Sequence, residues 1–144
     1  MTEIAFHFNA PDKLAYACRF ARKAQRAGAR LVILAPRPVL TELDRMLWSF
    51  SPQDFVAHCF ADADEDQIAA TPVVLASELR QVPHRVVGVS LGRQVPAGFG
   101  RFLRLIEVVS SVDEQDRGHA RLRWKQYASR GYAIARHDLV LKGG

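Results

Sequence analysis

The sequence predicts an α/β protein, a single domain over residues 1–144 with a mostly parallel sheet flanked by helices. Three observations carry that expectation. Residues 3–35 read as strand, helix and strand in succession, the order of a βαβ unit. Further short β-rich runs and amphipathic stretches follow. With 144 residues, 49% of them hydrophobic, the chain has material for one ordinary domain and one proper core.

The segment EIAFHF (3–8) alternates in polarity and is expected to be the opening strand. Asp12, in NAPDK, is a candidate N-cap for the helix that follows. From Leu14 to Gly28, apolar Leu14, Ala17, Cys18, Ala21 and Ala24 recur at helical spacing, and Gly28 supplies a stop. RLVILA (30–35) is a continuous β-rich run, the pattern of a strand buried on both faces. A second helix is expected over Val39–Trp48, and a strand over 54–60. The acidic ADADEDQ (61–67) reads as a solvated loop, and 71–77 and 84–90 read as strands. Phe99, Phe102, Leu103, Ile106 and Val109 fall at i, i+3, i+4, i+7 and i+10, which predicts a helix there. A last helix should run from near Asp113 to Gly131, with a strand-like run over 132–141.

The N-terminus lacks the basic start and apolar run of a secretory signal, and no apolar run reaches bilayer length. A cytoplasmic location without membrane contact is expected. Cys18 and Cys59 are too few for a disulfide framework and read as reduced, partly buried thiols.

Enzyme chemistry finds little support. The turn after the first strand, NAPDK, has no glycine with which to approach a pyrophosphate. Neither a Walker-type loop nor a GxSxG elbow is present, and GVSLG (88–92) lacks the Lys and hydroxyl that a phosphate loop needs. The five histidines do not show metal-ligand spacing; His58 and Cys59 are adjacent on a strand and point to opposite faces. Neither a catalytic role nor a cofactor is expected.

Charge is the informative feature. The net +5 divides unevenly: residues 1–72 sum to −1 and residues 73–144 to +6. Asp116–Tyr132 alone hold five Arg or Lys and three aromatics, with one acidic residue. On a helical wheel Arg117, Arg121 and Lys125 form one stripe at i, i+4 and i+8. Ala120, Trp124 and Tyr127 occupy an adjoining arc, while Arg123, Arg130 and His119 lie on another side. Carboxylates at i±4 are scarce, so the stripe repels itself mildly, and an anionic ligand would relieve that repulsion. A surface helix anchored by its aromatics is the simpler reading. An anionic ligand that also carries an apolar group explains both halves of the pattern.

The blocks LDRMLWSFSPQDFVAH (43–58), RLIEVVS (104–110) and ARLRWKQYASRGY (120–132) together resemble the chi subunit family of bacterial DNA polymerase III. Their order and spacing carry the resemblance, above all W-x₆-F followed much later by R-W-K-x-Y-x-x-x-G. The loop 61–67 and the tail HDLVLKGG depart from the better-known enterobacterial members. The resemblance implies a Rossmann-like fold and a non-catalytic accessory of the clamp loader. It further implies binding of the acidic C-terminal tail of single-stranded DNA-binding protein, and pairing with the psi subunit or an iron–sulfur helicase, so that DNA is met mainly indirectly. Carried over by position, Arg121, Trp124 and Lys125, with Arg117 at the entrance, are the expected tail-binding residues. Trp48 and Phe55 are the expected apolar pair for psi or helicase. Two alternatives are direct single-strand binding, in which cations and rings form a stacking platform, and a nucleotide-dependent α/β enzyme.

Overall fold

The first strand leads directly into a capped helix. The computed structural model describes residues 1–49, 55–79, 82 and 87–140. Strand β1 spans Glu3–Ala10 and helix α1 spans Lys13–Arg26. Asp12 caps α1: its carboxylate accepts the Ala15 backbone N–H at 3.1 Å, satisfying one donor that a first helical turn leaves open. Gly28 follows at φ +73°, a left-handed conformation that glycine enters without strain. The remaining elements are β2 (Leu31–Leu34), α2 (Arg37–Ser49), β3 (His58–Phe60), α3 (Glu65–Ala70), β4 (Val73–Ala76), β5 (Val87–Ser90), β6 (Arg104–Ser110), α4 (Glu114–Ser129) and β7 (Ile134–Asp138).

These strands form a seven-stranded sheet in the order β3-β4-β2-β5-β6-β1-β7, with each described pairing parallel. The fold is thus α/β with a Rossmann-like parallel sheet. Helices α1 and α2 cover one face, where Ala17, Cys18, Leu40, Leu43 and Leu47 meet Ile33, Leu75, Ile106 and Val108. Helix α4 covers the other, where Ala120 and Tyr127 meet Phe6, Leu105 and Val109. No helix among the described residues is long and apolar enough to cross a membrane.

Several expectations need correction. The helix expected over 99–109 does not form. Phe99–Arg101 makes one 3-10 turn, and the chain then enters β6 at the centre of the sheet. Residues 105–110 are buried without exception, so their apolar positions need not alternate and can mimic helical spacing. Part of the expected acidic loop is also helical. Asp64 caps α3 by accepting the Gln67 N–H, and Glu65 and Asp66 sit in the first turn, where the helix dipole favours negative charge. The strand of 54–60 is confined to His58–Phe60, and that of 132–141 to Ile134–Asp138, with residues 54 and 141 outside the described residues. Of the strand expected over 84–90, Val87–Ser90 is observed; 84–86 lie outside the described residues.

Gly88 has a packing role. A Cβ there would lie 2.8 Å from the Phe102 ring, which is itself buried, so only glycine fits. Helix α4 is unusual in what it buries: Asp116, Ala120, Arg123 and Tyr127 form its inward stripe, two of them charged. Asp116 pairs with Lys13 at 2.8 Å and accepts the Ser110 N–H at 2.9 Å, fixing the start of α4 against the start of α1 and the end of β6. Arg123, which the wheel groups with Arg130 and His119, is drawn inside by Glu107 of β6 at 3.1 Å.

Candidate functional site

The outward side of α4 borders a cleft of about 590 Å³. Arg117, Arg121, Trp124 and Lys125, singled out from the helical stripe, all line it. Across from them stand Phe6, Phe8 and Asn9 of β1 and Arg136 of β7, none of which the sequence pattern indicated. Strand register explains the meeting. Phe6 lies between Glu107 of β6 and Arg136 of β7 in one row, and alternate residues of a strand share a face. Phe6, Phe8 and Arg136 therefore face α4. Alternation along EIAFHF was the available signal for the phenylalanines; nothing local in IARHD marks Arg136 as their neighbour.

The cleft has a ring floor and a cationic rim. Phe6 is buried and its ring lies 5.2 Å from that of half-buried Trp124, tilted by 53°. The Arg136 guanidinium is 5.2 Å from the Phe8 ring and 6.0 Å from the Trp124 ring, within cation–π range. Asn9 adopts φ 66°, which asparagine tolerates better than most residues, and donates to Asp138 at 3.0 Å, holding the end of β1 to β7. Arg117 is paired with Glu114 at 3.2 Å. Among the described residues, no carboxylate lies within ion-pairing distance of Arg121 or Lys125. The lining contributes four cations and no carboxylate. It suits an anionic group attached to a ring or other apolar side chain.

A second surface lies on the opposite face of the sheet, at the end of α2. Trp48 is 61% exposed and Phe55 is 49% exposed, and their rings are 5.1 Å apart, so they form a contiguous apolar patch. Phe50, Ser51 and Pro52 between them lie outside the described residues. The patch rests on His58, whose ring is 5.3 Å from Trp48. Both His58 ring nitrogens face oxygens, Val56 O at 2.7 Å and Asp44 Oδ1 at 2.8 Å, which fixes the ring in place. Gln25 of α1 donates to Phe55 O and accepts from Ala57 N, each at 2.8 Å, so the Phe55 backbone is also tied down.

Comparison with known proteins agrees with the blocks that carried the resemblance. The family described as "DNA polymerase III chi subunit, HolC" matches residues 1–135. The DNA polymerase III subunit chi of Pseudomonas aeruginosa is 33% identical over 129 residues, covering 88% of this chain and 87% of that protein. The cleft-lining α4 and the Trp48–Phe55 patch both lie within the matched range. This chain belongs to the DNA polymerase III chi subunit family, accessory subunits of the replicative polymerase.

Proposed function

We propose that this chain is a non-catalytic adaptor that holds the acidic C-terminal tail of single-stranded DNA-binding protein in the α4 cleft. Through Trp48 and Phe55 it docks a psi-like subunit or an iron–sulfur helicase. The observation that carries the reading is the convergence of Arg117, Arg121 and Lys125 on a cleft floored by Phe6 and Trp124. An acidic peptide ending in a phenylalanine with a free carboxylate presents the complementary set: charges for the rim and a ring for the floor. The two surfaces lie on opposite faces of the sheet, so both ligands fit at once and one subunit links them.

Calorimetric titration with such a peptide tests the tail site. Binding is expected, with weaker binding when the terminal carboxylate is amidated and progressive loss as salt rises. Equal affinity for the acid and the amide, or no binding, would remove the tail assignment.

A further inference from the structure

Arg136 stands apart from the other three cations of the cleft. Arg117, Arg121 and Lys125 form one stripe on α4, whereas Arg136 comes from the middle of β7, across the cleft. Each step of the stripe is four residues, about 6 Å along the helix. Alternate residues of an extended peptide repeat at about 6.7 Å. The stripe therefore matches acidic side chains distributed along a peptide that runs beside α4. Arg136 lies outside that repeat. Its strand neighbour is Phe6, so it stands beside the ring that floors the cleft.

The Arg136 guanidinium is 5.2 Å from the Phe8 ring and 6.0 Å from the Trp124 ring, and both rings line the cleft. Shielding those rings accounts for its alkyl stem. It does not account for the charged head, which has no carboxylate within ion-pairing distance among the described residues. Asp138, two residues on along the same face of β7, is engaged elsewhere: its Oδ1 accepts Asn9 Nδ2 and the Val140 N–H, each at 3.0 Å. Glu107, on the far side of Phe6 in the strand row, is paired with Arg123. A guanidinium held against rings is preorganised, and its planar fork can clasp one carboxylate through two parallel hydrogen bonds.

We infer that Arg136 reads the free α-carboxylate of the bound peptide, while Arg117, Arg121 and Lys125 read its acidic side chains. The inference rests on the tail reading proposed above and adds the residue that makes the cleft select a chain end. In a C-terminal phenylalanine the ring and the carboxylate hang from the same Cα. A ring seated on Phe6 and Trp124 brings its carboxylate to the edge of that floor, where Arg136 stands. An internal phenylalanine offers a neutral amide there and leaves the guanidinium without an anion.

The test is calorimetric titration of wild type, Arg136→Ala, Arg136→Lys and Arg121→Ala with two acidic peptides that end in phenylalanine, one a free acid and one an amide. Wild type should prefer the acid by about tenfold or more, as expected of a charge-assisted pair. In Arg136→Ala that preference should vanish, with the acid bound about tenfold more weakly. Arg136→Lys keeps the charge without the planar fork and should recover only part of the preference. In Arg121→Ala both peptides should weaken alike and the preference should persist, because the lost contact is to side chains that both peptides carry. Arg136 is exposed, so an unchanged melting temperature separates loss of the contact from misfolding. A full preference for the acid in Arg136→Ala would overturn the inference and leave the tail site standing. A preference lost in Arg121→Ala and kept in Arg136→Ala would assign the terminal carboxylate to α4. Wild-type protein that binds neither peptide would remove the tail reading itself, and this inference with it.

Discussion

Arg123 of α4 and Glu107 of β6 form an ion pair with 3.1 Å between Nε and Oε1, although their side chains are only 1% and 0% exposed. Charge rather than an aligned hydrogen bond holds the pair, since neither Nε nor Oε1 completes one. The surroundings complete the site: Tyr127 donates to Glu107 Oε2 at 2.6 Å, and Arg123 Nη1 donates to Arg93 O at 3.0 Å. Burial raises the Glu107 pKa above the ordinary carboxylate range, and Arg123 and the Tyr127 hydroxyl oppose that rise. One cation of α4 thus anchors the helix, leaving Arg117, Arg121 and Lys125 to face the cleft.

Glu107→Ala should leave Arg123 buried without its partner and destabilise the fold by roughly 3–5 kcal/mol. Tyr127→Phe removes one bond and keeps the ring, so about 1–3 kcal/mol is expected. Urea denaturation of the two variants measures both, and a smaller loss for Glu107→Ala than for Tyr127→Phe would show that the ion pair is not the anchor.

Arg121→Ala and Lys125→Ala should each weaken acidic-peptide binding by roughly 1.5–3 kcal/mol, the range for a hydrogen bond to a charged group. Both side chains are exposed and should leave the melting temperature nearly unchanged. Calorimetry showing wild-type affinity in both variants would take α4 out of the peptide site.

Trp48→Ala should abolish capture of the psi-like or helicase partner and spare the acidic peptide, while Lys125→Ala does the reverse. Their positions on opposite faces of the sheet make the two losses separable. Because Trp48 is mostly exposed, the variant should fold normally by circular dichroism, and co-purification with each partner reads the separation.

Gly88→Ala should cost roughly 1–3 kcal/mol, because the new methyl meets the fixed Phe102 ring. Combining it with Phe102→Leu, which clears the ring, should lower the cost of adding the methyl. Thermal denaturation of the single variants and the double variant gives the coupling.

Burial pushes the Cys18 thiol up to about 11, against 9.0 for a free one. The native state therefore prefers the protonated thiol. Its contribution to stability is full below about pH 9 and is lost as the pH rises toward 11. Urea midpoints should fall across that window more steeply for wild type than for Cys18→Ala. Parallel curves would show that Cys18 does not contribute to the decline. Iodoacetamide should react with Cys18 at pH 8 only after unfolding.

Features that depend on near neighbours in the chain are legible in the sequence alone. The βαβ opening, the Asp12 cap and the stripe of Arg117, Arg121 and Lys125 beside Trp124 follow from helical and strand periods, which a few residues suffice to define. The Trp48–Phe55 patch is legible as a motif through family resemblance. Features that depend on strand order are not. Phe6, Phe8 and Arg136 complete the cleft because β7 lies beside β1. The strand nature of β6 is hidden for the same reason: its central place in the sheet removes the alternation that would have revealed it. The inward turn of Arg123 is hidden too, since its partner Glu107 comes from that strand. Local spacing sets which residues share a face of one element. Which elements face each other is set by hydrogen-bonded register and burial across the whole chain.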